Sequence, residues 1–342
     1  MIMRPTRTLL NRRHIVKGLG ALAIGAPAYR AAHAQSPQSE ATPTGAGGEF
    51  IDDRGIAVAL DPVPQHVVAH IMAASALWDF GIESEAIFGP TRKADGSPEN
   101  YVGGVDIENT PNLGEQTFEF DIEAFVDMDG DLLVGISYGV EDPTNIWSIR
   151  PEGVGILTDI APIAVIGVNY KPVTTVIARY GELAARLGAD LDTPELQSAR
   201  SEFDTASDNL RAAIAEKPGL KVLVIAANED MFYPIPATPA DLVYSEELGL
   251  SIVTPDDEDT SGVSYEQVIK YPADLILTES RVGWFTNDQL AEHPIMSQHP
   301  AVKAGQMGIR SNTYVASYRG FVPILEQLTT TIQDSQVILD DH

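Results

Sequence analysis

Between Thr193 and Lys217 the apolar positions Leu196, Ala199, Phe203, Ala206, Leu210 and Ile214 recur at steps of three and four. That spacing lays one stripe along an α-helix. Thr193 serves as its N-cap, Pro194 takes the first helical position, and Glu195 sits in the first turn. Pro218-Gly219 stops it. At about 1.5 Å per residue such a helix spans roughly 36 Å, the width of a small domain. The pattern predicts a rigid strut between two lobes.

On either side the pattern changes to short apolar runs separated by amphipathic stretches. Val63–Ala69, Ala86–Gly89 and Asp131–Gly135 read as strands before the strut, with helices at Ala73–Phe80, Phe120–Asp127 and Val173–Leu187. After it, Lys221–Ala226 and Asp274–Thr278 read as strands. Helices are expected at Pro239–Leu248, Ser264–Lys270, Asn287–His293, Pro300–Ala304 and Gly320–Thr331. Alternation of this kind implies a mostly parallel sheet with helices on its faces in each lobe. The predicted fold is therefore α/β, two Rossmann-like lobes joined by a single long backbone helix. Its segments are an N-terminal lobe over 50–170, a helical connector over 171–217 that includes the backbone helix 193–217, and a C-terminal lobe over 218–342. Pro90–Asn112 is a long loop, and such loops in compact domains are often functional.

The two lobes echo each other. Asp121-Ile122-Glu123-Ala124-Phe125-Val126 precedes the strand opened by Asp131, and Ser264-Tyr265-Glu266-Gln267-Val268-Ile269 precedes the strand opened by Asp274. Each Glu falls in the first turn of its helix, where the helix dipole favours an acid. A plain helix-end role accounts for one such Glu; equal spacing in both lobes points to two related units.

Composition adds three constraints. The chain has no Cys, which excludes disulfides, thiolate metal sites and a lipid-modified N-terminal Cys. Asn11-Arg12-Arg13-His14-Ile15-Val16-Lys17, the apolar run Gly18–Ala28 and the small-x-small site Ala32-His33-Ala34 together read as a twin-arginine signal peptide over 1–34. The apolar run is too short to span a membrane. Ser36–Gly48 lies in an expected flexible linker, 35–49. The signal segment carries six of the 22 Lys and Arg and no acid, so the mature chain sets sixteen against 49 Asp and Glu, a net charge of −33. Nucleic acid and anionic lipid would repel it.

Order and spacing then carry a family resemblance. IDDRGIAVALDPVPQHVVA, ALWDFGIESEAIFGP, NLGE followed by FDIEAFVDMDGDLLVG, the strut, VSYEQVIKYPADLIL and HPAVKAGQMG resemble the ABC-transporter solute-binding proteins for ferric siderophores, cobalamin and haem. The chain departs from that family at His66, where Arg or Lys is usual, and in lacking the lipobox Cys. The resemblance implies an exported, monomeric binding component that is not an enzyme and needs no cofactor. Its partner would be an ABC permease dimer in the membrane, and its ligand an iron(III)-siderophore chelate, with haem or cobalamin as the alternative. The family's two permease-docking glutamates fall on Glu123 and Glu266.

The ligand is expected between the lobes at the carboxyl ends of the strands, so loops there should supply the contacts. In the first lobe these are Arg92, Tyr101, Gln116 with Glu115, Tyr138 and Trp147, with His70 and Met72 as candidate haem ligands. In the second they are Met231, Phe232, Tyr233, Arg281, Trp284, Phe285, Tyr318 and Arg319. Tyr138 and Tyr318 match loop positions that carry aromatic ligand contacts in siderophore-binding relatives. Aromatic rings pack on a chelate's apolar rim, and guanidinium groups hydrogen-bond its oxygens.

Two other chemistries compete. Gly135-Ile136-Ser137-Tyr138-Gly139 fits the nucleophile elbow of serine hydrolases, but Glu141-Asp142-Pro143-Thr144 reads as loop where that motif needs a helix. His66, His70, His293, His299 and His342 form no metal-binding tract, so no bare-metal site is expected. The export signal gives a direct expectation: N-terminal sequencing of the protein recovered outside the cytoplasmic membrane should begin near Gln35, and an intact Met1–Ala34 segment would refute it.

Overall fold

The computed structural model describes residues 45–256, 259, 261–281 and 283–339. The expected signal peptide, and 35–44 of the expected linker, lie outside the described residues. Among the described residues no helix is long and apolar enough to cross a membrane.

The described chain opens with an antiparallel hairpin, Glu49–Ile51 (β1) against Ala57–Ala59 (β2). Its turn is fastened to the lobe by two acids. Asp52 accepts from Arg54 Nε at 2.8 Å and Val165 N at 3.1 Å, and Asp53 accepts from Gly167 N, Lys171 Nζ and Arg179 Nε.

The first sheet is fully parallel. Val67–His70 (β3) leads through Ile71–Asp79 (α1) to Ala86–Phe88 (β4), then through Ile122–Asp127 (α2) to Leu132–Ser137 (β5) and through Pro151–Thr158 (α3) to Ile163–Gly167 (β6). The order is β4-β3-β5-β6, with β3 and β5 in register at Val68↔Leu133. Every residue of these four strands is buried, which is why they read as unbroken apolar runs rather than alternating ones.

Val173–Arg186 (α4) and Pro194–Ala215 (α5) follow. Thr193 caps α5 by accepting from Leu196 N at 3.3 Å. The buried stripe of α5 is Ala199, Phe203, Ala206, Ser207, Leu210 and Ala213, so it turns slightly away from the periodic Leu196 and Ile214, which are only partly buried. Ser207 is admitted because both its bonds are met: its hydroxyl donates to Phe203 O and accepts from Tyr244 Oη at 2.9 Å.

The second sheet comprises Lys221–Ala227 (β7), Phe232–Pro234 (β8), Ser251–Ile252 (β9), Leu275–Glu279 (β10) and Met307–Arg310 (β11). Its order is β11-β10-β7, parallel throughout; the free edge of β7 pairs with β9 at its start and with antiparallel β8 at its end. Ala240–Glu247 (α6), Asn287–Glu292 (α7), Pro300–Lys303 (α8) and Tyr318–Asp334 (α9) cover it. One apolar core runs from β3 and α4 through α5 to β7 and α9, so the lobes share an interior.

The echoed motif has a structural explanation. Asp131 accepts from the backbone N–H of Gln65 and His66, and Asp274 from that of Lys221, Ile338 and Leu339. In both lobes an Asp at the start of one strand fixes the start of its neighbour. Phe125 and Val268 occupy matching core positions, while Glu123 and Glu266 are exposed. The match is imperfect: Tyr265–Lys270 is a 3-10 helix rather than an α-helix. Pro272 ends it, since it forces Tyr271 out of the helical region.

Candidate functional site

Parallel strands deliver their loops to one edge, and the two such edges face each other across a cleft of about 490 Å³. That is within the usual range for small-molecule sites, roughly 300–1,000 Å³. A second concavity beside Leu250 and Leu277 holds only about 30 Å³, room for a water. A third, along the outer side of α5 and α9, is comparable in volume but lies away from the strand ends, among Asn209, Glu216, Glu326 and Gln333.

The wall from the first lobe is aromatic and apolar. Tyr138 leaves β5, and its ring meets Trp147 edge-on with centroids 5.2 Å apart. Met72, from the first turn of α1, and Val168, just after β6, complete this side. Asn169 reaches the lining too, donating from Nδ2 to Tyr138 O at 3.2 Å.

The wall from the second lobe is built on a buried ion network. Arg310, at the end of β11, clamps Asp241 of α6 with two bonds of 2.7 Å and donates a third of 2.7 Å to Glu279 at the end of β10. The other Glu279 oxygen accepts from Arg281 Nη2 at 2.6 Å and from Asn312 Nδ2 at 3.0 Å. Burial opposes the charge on Arg310, but Asp241 and Glu279 outweigh it and raise its pKa. Removing Arg310 would leave buried Asp241 without its cationic partner and Glu279 with Arg281 alone, a loss on the order of 3–5 kcal/mol.

Two cations and two anions balance, so this wall carries no net charge. Of its two guanidinium groups Arg281 is the one open to a ligand, with 56% of its side chain exposed. Tyr314 and Tyr138 add phenols. Burial raises the Tyr314 hydroxyl well above its ordinary value, with Asp241 adding to the shift, and burial also raises Tyr138. Both stay neutral near pH 7, suited to hydrogen bonding. The site therefore offers rings, a guanidinium, amides and neutral phenols, a set that holds a finished complex better than a naked cation. Among the described residues no three His, Asp or Glu side chains gather as a metal-binding group.

Of the residues expected from the sequence, the structure brings Tyr138, Trp147, Arg281 and Met72 into this lining. Met231, Tyr233 and Trp284 gather beyond it on the second lobe, where the Tyr233 and Trp284 rings lie 5.3 Å apart. Arg92 is taken up by Glu108 and Gly96 O, and Tyr101 donates to Pro90 O at 3.0 Å; both serve to fold their own loop. Gln116 lies exposed in the turn before α2.

Tyr318 and Arg319 do not line the cleft. Ser317 caps α9 by accepting from Gly320 N at 2.9 Å, so both residues enter its first turn. Tyr318 then packs 5.5 Å from Phe203 of the backbone helix, and Arg319 approaches Asp79 at 3.9 Å. Sequence reasoning missed Asp241, Glu279, Arg310, Asn312 and Tyr314. Arg310 and Asp241 are 69 positions apart, and no local pattern announces such a pair.

His70 is not placed as a haem ligand. It is buried as the N-cap of α1, its Nδ1 accepting from Met72 N at 3.2 Å. The proton of the neutral ring therefore resides on Nε2, which faces Ser148 Oγ at 3.4 Å. Gly89 admits the ring: it has φ +96°, and a Cβ there would stand 2.7 Å from Nε2. The serine-hydrolase alternative also fails on geometry. Ser137 is buried, donates to Gly139 O at 2.7 Å and accepts from Gly139 N at 3.1 Å, and the next helix starts only at Pro151.

No family model matches the sequence, and none of the curated proteins does. Solved structures do match. The chain is 32% identical to DesE, a ferric-siderophore receptor protein from Streptomyces coelicolor, with a TM-score of 0.75, covering 84% of this chain and 98% of that one. VctP, a periplasmic catecholate-siderophore binding protein from Vibrio cholerae, matches at 17% identity and TM-score 0.60 over 84% of this chain and 99% of its own. A periplasmic solute binding protein from Mycobacterium smegmatis matches at 15% and 0.58 over 84% and 97%. The last two likenesses concern the fold alone.

Burial lowers the His70 pKa to about 3, below its ordinary value of 6.5. The unfolded chain binds the proton first, so this residue costs the fold nothing above pH 6.5 and progressively more as pH falls towards 3. The slope is at most about 1.4 kcal/mol per pH unit. Denaturant unfolding across that window should show the loss, and His70→Asn, which keeps a capping oxygen, should flatten it. An unchanged slope in the variant would refute the assignment.

Proposed function

Because the chain belongs to the ferric-siderophore and related periplasmic binding proteins of the TroA-like fold, we propose that it captures an iron(III)-siderophore chelate in the cleft and delivers it to an ABC permease. It is a binding protein, not an enzyme. The observation that carries the ligand reading is the charge balance of the cleft. Arg310 is spent on Asp241 and Glu279, and half of Glu279 is spent on Arg281. A chelate whose iron is already saturated and whose surface is uncharged or weakly cationic meets no unpaired charge there.

The expected net charge of −33 for the mature chain adds long-range repulsion against a strongly anionic catecholate complex, screened within about 10 Å at ordinary ionic strength. A ferric hydroxamate is the favoured class. Trp147 lines the cleft, so intrinsic fluorescence of the mature protein should be quenched by ferric hydroxamate, and Trp147→Phe should remove most of the response. Tight binding of haem or cobalamin with silence towards hydroxamate and catecholate would overturn the siderophore assignment.

Glu123 and Glu266 support delivery: both are exposed, one per lobe, at matching positions of the echoed motif. We assign them to docking on basic residues of the permease outer face. Reversing both to Lys should abolish uptake and leave chelate affinity unchanged; surviving uptake, or parallel loss of binding, would reduce them to helix-end acids.

A further inference from the structure

Among the described residues four other than glycine take a left-handed backbone, and two of them lie together beside the cleft: Phe118 at φ 67° and Ser148 at φ 69°. For a bulky aromatic residue this conformation is costly, on the order of 1–3 kcal/mol, and it persists only where surroundings enforce it. The enforcement is visible. Phe118 N–H donates to Ser148 O at 3.2 Å, and the neighbouring Trp147 N–H donates to Ile136 O at 2.9 Å on β5. Ser148 is buried beneath them against His70.

The product of that strain is a row of exposed rings. Tyr138 is 42% exposed, Trp147 37% and Phe118 41%. Trp147 stands edge-on to Tyr138 at 5.2 Å and to Phe118 at 6.1 Å, so the row leaves the cleft through Tyr138 and Trp147 and ends outside it at Phe118. Arg150, also exposed, closes the far end with its guanidinium carbon 5.8 Å from the Phe118 ring centre. A fold that needed only to bury Phe118 would not hold it strained and open.

We propose that Phe118, with Trp147, forms an apolar shelf continuous with the cleft, and that it receives the hydrocarbon portion of the chelate that projects beyond the iron centre. This rests on the hydroxamate reading above. In that class iron coordination and hydrocarbon are separable: polymethylene linkers join the hydroxamates without touching the metal. The cleft holds the coordinated iron, and the shelf selects chelates by what joins their ligating groups.

The test uses two probes on the mature protein, a linear ferric trihydroxamate with polymethylene linkers and ferric tris(acetohydroxamate), which presents the same coordination without linkers. Phe118→Asn removes the ring and suits the left-handed backbone, so the unfolding temperature should not fall. Its affinity for the linked chelate should drop about tenfold, the scale of one lost apolar contact. Its affinity for the unlinked complex should stay within about twofold. Equal losses for both probes, or none for either, overturn the shelf and leave the hydroxamate reading standing. A fall in unfolding temperature without selective loss makes Phe118 a packing residue and also overturns it. A wild-type protein that binds neither probe overturns the hydroxamate reading and the shelf with it.

Discussion

Cleft width is set by two helices packed along their length. The buried stripe of α5 lies against Phe321, Leu325 and Ile332 of α9, and Phe203 sits among the rings of Tyr244, Tyr318 and Phe321. α9 is tied in turn to the first lobe, since the Ser317 hydroxyl donates to Asp79 of α1. Across the other side, Tyr170 N–H donates to Thr238 O at 2.7 Å. Any large opening would have to break a continuous core and these bonds together. The two walls of the cleft are therefore held close to their separation, and recognition falls to side chains on short loops.

Charge works on two scales in this molecule. At long range the acidic surface acts on any approaching ion, and salt weakens that field. Inside the cleft the second-lobe wall is neutral by construction, because Arg310 ties together α6, β10 and β11 through Asp241 and Glu279. Such a network contributes more to the shape of the wall than to stability, since desolvation of Arg310, Asp241 and Glu279 offsets much of their attraction. It also leaves Arg281 as the one guanidinium among the lining residues open to a ligand. A ligand is then read by shape, rings and a few hydrogen bonds.

What the sequence disclosed follows from this physics. The strut, the parallel strands and the echoed helices are written in local periodicity and were legible. Tyr138 and Arg281 were legible because they sit where strands end, and Trp147 because it lies in the loop that follows β5. Tyr314 was passed over because its packing on Phe321 depends on where α9 begins, and that start is set by Ser317. His70 was a candidate haem ligand from its place after a strand, yet its capping bond and the close approach of Gly89 occupy it. The ion network escaped because its members come from three distant elements.

The internal echo separates what the fold requires from what it does not. Asp131 and Asp274 each satisfy backbone N–H groups of a neighbouring strand, and leaving such donors unpaired costs about 1–3 kcal/mol apiece where they are buried. Their position ahead of the strand is thus a structural necessity in each lobe. Phe125 and Val268 are likewise explained by the cores they fill. Glu123 and Glu266 are not explained in this way. Both are exposed, and neither takes part in an ion pair among the described residues. Local bonding lowers the pKa of Glu266, through its own backbone N–H and Ser264, which keeps it charged. Glu123 and Glu266 stand one per lobe, each exposed in a first helical turn and eight residues before such an Asp, and that repetition is what the proposed docking role rests on.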